Sequence, residues 1–188
     1  MSNQNGFYLN NVKLFATILV FFGLNGCAKQ ALIPSSTSDT IKYYERIAVH
    51  AGGGCSKTDF SINHGDYILI LAYGRVFTPG SWHPGGPPHA SLFMKIGKRG
   101  EPRFAVTQPD NRRFFRSTES GRLAFCVENP YMKSGFSNLS GGFAVDIFVF
   151  LNLNEQRILQ ALDIIAKANP TDKRIGTQLQ QIVGQKLF

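Results

Sequence analysis

The sequence has little of what enzymes and metalloproteins usually carry. Its 188 residues include 3 cysteines, 4 histidines and 1 tryptophan, with no CxxC pair and no histidines or cysteines at chelating spacing. The GxSxG, HExxH and glycine-rich phosphate-loop motifs are missing too. Asp66, Asp110 and Glu119 show no spacing that pairs them as acid and base. These absences predict a protein that is not an enzyme, and they give no indication of a zinc or redox site.

Acidic residues are scarce. Asp and Glu number 12 against 20 Lys and Arg, which gives a formal net charge of +8. The basic residues cluster as KIGKRGEPR (95–103) and DNRRFFR (110–116). Such a surface attracts anionic lipid or acidic glycans, and arginine interleaved with Phe114 and Phe115 also suits nucleic acid. Solvated hairpin loops carry similar charges, so the pattern alone leaves these interpretations open.

The sequence also lacks an apolar run near its N-terminus that is long enough to cross a bilayer, which takes about 20 residues. The stretch from Leu14 to Leu24 follows Lys13 and has the length of a secretory signal core. It leads into Leu24-Asn25-Gly26-Cys27, which resembles a bacterial lipobox. The alternative is a plain signal peptide or signal anchor in which the cysteine is incidental.

The lipobox resemblance implies a signal peptide over residues 1–26 and a mature chain that a lipid on Cys27 attaches to the membrane. Ala28 follows the cysteine, which favours an outer-membrane lipoprotein that faces the periplasm or the cell surface. Export argues against nucleic acid as a partner. In an oxidising compartment the remaining cysteines, Cys55 and Cys126, form an even pair, and we expect a disulfide between them.

Two segments of different composition follow the signal segment. Residues 27–43 are small and polar with Pro and Ser, as expected of a tether between lipid and domain. Residues 44–151 alternate short apolar runs with Gly, Pro, Asn and Asp, which predicts an all-β sandwich or barrel. The runs are ERIAVHAG, GDYILILAYGRV, SLFMKIG, RFAVTQ, GRLAFCVEN and GGFAVDIFVF.

Two of these runs show which faces are covered. Leu123, Phe125 and Val127 alternate with other residues and are predicted to share one face of a strand. The run from Phe143 to Leu151 is apolar at most positions, which predicts a central strand covered on both faces.

Residues 152–188 change to a helical period and predict an α-helical hairpin. Asn154 is placed to cap the first helix, Asn169-Pro170 to end it, and Thr171 to cap the second. The two apolar stripes are Ile158, Leu159, Leu162, Ile165 and Ala166, and then Ile175, Leu179, Ile182 and Val183. The pair cannot bury these stripes alone, so it must pack on the sandwich, bind a partner or begin an array of helix pairs.

Four segments occur in the order of a known family. GDYILILAYGRV, WHPGG, SLFMKIG and SGGFAVDI, within residues 47–148, resemble the PA-I galactophilic lectins. The resemblance implies a jelly-roll-like, galactose-binding-like β-sandwich that binds galactose with the help of calcium. It also implies that the ligands lie in the loops at one end of the sandwich.

The resemblance also allows the calcium ligands to be carried over, as one aspartate, two asparagines and two backbone carbonyls. The matching positions here are Thr78, Asn129, Gly135 and Asn138. Asn129 stands in for the aspartate, Leu139 replaces the second asparagine, and Lys133 adds a positive charge nearby. Calcium depends on anionic oxygen ligands, so the resemblance implies a calcium site that is degenerate.

The sugar side of the resemblance involves Trp82, His83 and His89, in a loop that lacks most of the family's acidic insertion. In the family that insertion holds the galactose hydroxyls alongside calcium, so the resemblance implies that these three residues are the candidate ligand-binding positions. The alternative is a stiff turn fixed by the neighbouring prolines and glycines, with Trp82 packed across the end of the sandwich. A zinc or copper site at the two histidines would need further ligands that the loop does not supply.

The sequence is consistent with two functions. The first is a carbohydrate-binding domain on a lipid-anchored envelope protein, with a glycan as its partner. The second is a non-catalytic structural or partner-binding lipoprotein that has lost sugar and calcium and whose helices dock another envelope protein.

Overall fold

The computed structural model describes residues 33–77, 86–127, 139–151 and 154–184. The predicted positions Cys27, Thr78, Trp82, His83, Asn129, Gly135 and Asn138 lie outside the described residues, so their roles stay predictions. Within the described ranges, no helix has the length and apolar character needed to cross a membrane.

The described residues form eight strands, two α-helices and two short helical turns. The strands are β1 (Ile41–His50), β2 (Ser56–Ile62), β3 (Tyr67–Phe77), β4 (Leu92–Ile96), β5 (Arg103–Phe104), β6 (Arg112–Arg116), β7 (Gly121–Val127) and β8 (Ser140–Phe150). The helices are α1, a single turn (Pro88–Ser91), α2 (Glu155–Ala168) and α3 (Lys173–Val183), and a 3-10 turn covers Ser35–Thr37.

The strands form two antiparallel sheets of four strands each. Sheet A has the order β1-β8-β3-β6, and sheet B has the order β2-β7-β4-β5. The long strands β3 and β8 lie at the centre of sheet A and pair along their whole length. The all-β sandwich with a C-terminal helical hairpin is therefore confirmed.

The first core lies between the two sheets. Leu123, Phe125 and Val127 of β7 point into it together, as their alternation predicts. Val145 and Ile147 of β8 reach the same core from sheet A. Antiparallel sheets bury one face of each strand in this way, and apolar residues two apart supply that face.

A second core covers the outer face of sheet A. Phe148 and Phe150 of β8 point away from the first core and pack against the stripes of α2 and α3. The central strand is thus covered on both faces, as predicted. The helical residues in this core are Ile158, Leu159, Ala161, Leu162, Ile165, Ala166, Ile175, Leu179, Ile182 and Val183. Of the three fates open to the helical hairpin, packing on the sandwich is the one observed.

The glycines of the SGGF segment have a structural role in sheet A. A Cβ atom on Gly142 would lie 2.5 Å from the Val49 carbonyl oxygen of β1. On the other side, Gly74 of β3 has a φ of +109°, and a Cβ there would collide with the Gly142 carbonyl oxygen. The family-like motif is therefore required by the close approach of three strands, independently of any ligand.

The structure differs from the sequence-based boundaries at the N-terminal side. β1 begins at Ile41 rather than at residue 44. Ile33 packs against the second core, and Thr37 and Thr40 are buried, so the last part of the predicted 27–43 tether belongs to the folded domain. A small, polar segment still docks here because hydroxyls can turn to local backbone acceptors, as Thr37 does to the Pro34 carbonyl at 2.8 Å.

The strand assignment and one helix cap also need correction. β2 and β6 are two further strands, and RFAVTQ supplies only the two residues of β5. β2 is polar and β6 is basic, and each is the edge strand of its sheet. Edge strands often carry charged and polar residues, so neither shows the alternation of apolar and polar residues that predicts a strand. The second helix is capped by Asp172 rather than Thr171, since the Asp172 carboxylate accepts from the backbone N–H groups of Arg174 and Ile175.

Candidate functional site

The strand register places the predicted ligand loops at one end of the sandwich. In sheet A the end of β3 pairs with the start of β8, as Phe77 opposite Ser140. In sheet B the start of β4 pairs with the end of β7, as Leu92 opposite Val127. The loop after β3 and the loop after β7 therefore leave matching ends of their sheets. We call this the loop end, defined by these four strand termini.

A disulfide fastens the loop end within sheet B. Cys55, just before β2, is bonded to Cys126 of β7, and their Cα atoms lie 4.3 Å apart. The short turn from His50 to Ser56 links β1 of sheet A to β2 of sheet B at this same end. The bridge therefore anchors that turn to β7 beside the candidate ligand loops.

His89 is the predicted ligand residue that lies among the described residues, and neighbouring amides hold its imidazole ring. His89 Nδ1 lies 2.8 Å from Asn111 Oδ1, and His89 Nε2 lies 2.7 Å from Gln108 Nε2. An amide oxygen only accepts and an amide nitrogen only donates, so Nδ1–H donates to Asn111 and Nε2 accepts from Gln108. Both ring nitrogens are therefore engaged within the protein.

The loop that holds His89 is itself anchored to sheet A. The Asn111 carbonyl accepts from the backbone N–H of Ala72 at 3.0 Å. Asn111 adopts a φ of 52°, a left-handed conformation that asparagine tolerates better than most residues. His89 thus joins the loop before β4 to the loop between β5 and β6, which is a positioning role. This arrangement leaves no ring nitrogen for the zinc or copper site considered above.

The described part of the chain also lacks the geometry that a metal site needs. No group of three His, Cys, Asp or Glu side chains there is close enough to hold a metal ion.

A second feature is a basic groove along the edge where β5 and β6 meet. It has a volume of about 640 Å³. Apolar side chains from sheet A, sheet B and α3 form its walls, and three arginines stand around it. The walls include Leu69, Phe93, Phe104, Phe114 and Ile182, and the arginines are Arg103, Arg112 and Arg113. We call this the arginine groove.

The charges of the arginine groove are only partly balanced. Arg112 Nη2 pairs with an Asp110 carboxylate oxygen at 3.2 Å. Arg103 and Arg113 form no ion pair with a carboxylate among the described residues. Both guanidinium groups lie against one aromatic ring, at 5.4 and 5.5 Å from the centroid of Phe115.

The environment of Arg113 opposes its charge. Burial lowers the pKa of Arg113, and the positive charge of Arg103 lowers that pKa further. The Arg103 Nε atom is buried without a hydrogen-bond partner. Arg113 Nη1 is satisfied by the Phe104 carbonyl oxygen at 2.6 Å. An anion in the groove would relieve the repulsion and supply an acceptor.

A third polar cluster fixes the helical hairpin to sheet A. Asp146 of β8 is fully buried and accepts from the Tyr44 hydroxyl and from Arg46, both at 2.7 Å. Arg46 also reaches Asp172, the cap of α3, at 2.7 Å. The hydrogen bond to Asp146 raises the pKa of Arg46 despite the opposing effect of burial. These charges serve the packing of α3 on the sandwich.

Comparisons with known proteins find similarity among solved structures. No family model matches this chain, and no curated protein matches it. A solved structure described as the N-terminal domain of EclA, a PllA-like lectin, is similar at 18% sequence identity. The similarity covers 60% of this chain and 98% of that chain, with a TM-score of 0.46.

The sequence pointed to some of these features and missed others. The two basic clusters were visible, but nothing showed that one lies on an edge strand and that both line one groove. The segment QPDN, which contains Gln108 and Asn111, predicts a turn. Nothing in it indicates that these two side chains contact His89. Residues so far apart in the chain meet only through the fold.

Proposed function

We propose that this protein is a non-catalytic saccharide-binding domain whose ligand binds at the loop end. The observation that supports it best is the strand register. The strands that flank the loop of Trp82 and the loop of Asn129 and Asn138 end at the same end of the sandwich. The PA-I lectin resemblance requires both loops at one end. His89 and the disulfide stiffen the base of these loops, and a preformed base lowers the cost of ordering a site on binding.

We further propose that calcium contributes little to this binding. Leu139 stands where the family has its second asparagine, and its side chain packs against the first core. A side chain held there supplies no oxygen to a cation. With Asn129 in place of an aspartate and Lys133 nearby, too few anionic ligands remain for tight calcium binding.

The competing function, a partner-binding lipoprotein whose helices dock another protein, is weakened by the second core. The apolar stripes of α2 and α3 are buried on sheet A, so they do not offer an apolar face to a partner. A domain that has lost its saccharide altogether stays the second candidate, because Leu139 stands where the family has a ligand asparagine and packs against the first core instead.

A thermal-shift and calorimetric titration with a panel of neutral galactosides and related sugars tests the proposal. At about 100 times the dissociation constant, a ligand stabilises the fold by about 2.7 kcal/mol. We expect such a shift with at least one sugar, its loss in Trp82→Ala, and little change when calcium is replaced by a chelator. Tyr43→Ala removes an exposed aromatic ring at the start of β1 and should leave binding intact. Absence of a shift with every sugar would favour the second candidate.

We also propose that residues 1–26 direct export and that Cys27 carries the lipid that anchors the domain in the bacterial envelope. The Cys55–Cys126 disulfide supports export, since such bonds persist in oxidising compartments. The test is fractionation of cells that produce the full chain. We expect Cys27→Ser to leave the membrane fraction or stay unprocessed, and Cys27→Ser that is processed and still membrane-bound would contradict lipid anchoring.

A further inference from the structure

The arginine groove is distinct from the loop end in the residues that line it, and it has no role in the function proposed above. The loop between β5 and β6 borders both places. Thr107 of this loop lines the groove, whereas Gln108 and Asn111 hold His89. A second ligand site can therefore lie beside the loop end, share this loop with it and still have ligand residues of its own.

The groove presents positive charge to the ligand it would hold. Arg103 and Arg113 share the ring of Phe115 and have no carboxylate partner among the described residues. Two partly buried arginines close to each other repel, and a bound anion would compensate both charges. Guanidinium groups bind carboxylate, sulfate and phosphate oxygens through paired hydrogen bonds, so the chemistry that fits is an oxyanion.

The walls indicate what carries that oxyanion. The ring centroids of Phe93 and Phe104 lie 4.6 Å apart with the ring planes tilted by 30°, and Phe104 is 43% exposed. Phe114 and Ile182 line the same groove from sheet A and α3. An open groove with aromatic faces suits a ring that has one apolar face and a polar edge, as a sugar has.

We propose that the arginine groove binds the oxyanion of an acidic saccharide, with Arg103 and Arg113 as its ligands and Phe93 and Phe104 as the platform for the sugar ring. The oxyanion is inferred from the groove itself, whereas the choice of a saccharide as its carrier rests on the proposed function. The acidic group is a carboxylate or a phosphate attached to the sugar, which is the chemistry common to acidic polysaccharides and phosphorylated envelope glycans.

Calorimetric titration of the full chain tests this site with four probes. These are digalacturonate, galactose 6-phosphate, the neutral digalactoside and inorganic phosphate. We expect the two acidic sugars to bind, with affinity that falls as salt is raised. Arg113→Gln and Arg103→Gln should each weaken this binding about tenfold or more, since each removes charge-assisted hydrogen bonds.

Matched variants separate a binding role from a structural one. Arg157→Gln changes the charge equally on the exposed face of α2 and should bind like the wild type. Arg103→Gln should leave the melting temperature of the free protein unchanged or raised, because it removes a repelling charge and a buried Nε without a partner. Trp82→Ala should abolish binding of the neutral digalactoside and leave the salt-dependent binding of the acidic sugars, which Arg103→Gln and Arg113→Gln weaken, so failure of the loop-end function stays distinguishable from failure of the groove.

Three results would overturn the inference. The first is no binding of either acidic sugar to the folded wild type. The second is binding that both Arg103→Gln and Arg113→Gln leave unchanged. The third is inorganic phosphate that binds as tightly as galactose 6-phosphate, which would remove the saccharide from the proposal.

Discussion

Single residues change role between sequence and fold. His89 is a candidate ligand in the sequence, because a histidine near the lone tryptophan matches the sugar side of a lectin loop. In the structure its ring nitrogens are engaged by Asn111 and Gln108, 22 and 19 residues away. Local sequence carries no record of such contacts, since hydrogen-bond partners at this separation are chosen by the packing of loops.

The carboxyl group of Asp172 should make the free energy of unfolding depend on pH in the acid range. Burial acts to raise the pKa of its carboxyl, but the hydrogen bond from Arg46 and those from the backbone of Ile175 and Arg174 outweigh it, so the pKa lies below its ordinary value. A folded-state pKa below the unfolded one adds stability that is present above the unfolded pKa and is lost as the pH falls through the folded value.

We therefore expect Asp172→Asn to lower the free energy of unfolding at neutral pH and to converge with the wild type in acid. Asparagine keeps the capping oxygen, so the comparison isolates the charge. Urea denaturation at a series of pH values measures the difference. Asp163→Asn, which removes a carboxylate paired with Lys167 on the surface of α2, serves as the control and should have a small effect. A gap between wild type and Asp172→Asn that does not narrow in acid would contradict the assignment.

At the scale of elements, the periodicity of apolar residues predicts which segments become helices and strands. This prediction fails for strands at the edge of a sheet. The helices were recognisable from stripes at helical spacing, and β8 from a run too apolar to face water on either side. β6 was not recognisable, because an edge strand with arginines at Arg112, Arg113 and Arg116 alternates no apolar face. Charged edges of this kind also protect a sheet from pairing with another chain.

The helical hairpin gives the element-scale prediction. Leu179 of α3 is fully buried against the outer face of sheet A. Its replacement by alanine should reduce the free energy of unfolding by about 2–5 kcal/mol, through lost burial and the cavity left behind. Chemical denaturation measures this change. Gln180→Ala, one residue on and exposed, should stay within about 0.5 kcal/mol of the wild type.

A small effect at Leu179 would mean that α3 does not depend on the sandwich. In that case the apolar stripe would be available to a partner, and the partner-binding function would regain its support.

At the scale of the whole molecule, two cores share sheet A as their common wall, and one disulfide closes a long loop. Cys55 and Cys126 are 71 residues apart in the chain. Sequence paired them by elimination once export was assumed, because Cys27 was assigned to the lipid. The fold supplies the reason, which is that both lie at the same end of adjacent strands in sheet B.

The bridge gives the whole-molecule prediction. Closing a loop of this length restricts the unfolded chain by roughly 4 kcal/mol on the chain-entropy model. The double variant Cys55→Ala/Cys126→Ala should lose a stability of that order in chemical denaturation, and a reductant should then have no further effect on it. Cys27→Ser leaves the bridge in place and is the matched control. Equal stability of the double variant and the wild type would mean that the bond does not contribute to the fold.

The sequence by itself determined the class of fold, the central strand and the two helical stripes, because burial imposes periods of two and of about 3.6 on neighbouring residues. It also indicated the cysteine pair, by elimination. Tertiary structure alone decided where the helices pack, which atoms hold His89, and that two basic clusters meet at one groove. These features depend on which strands become neighbours and on which edges stay open. Local periodicity contains no information on either, since both follow from contacts between residues far apart in the chain.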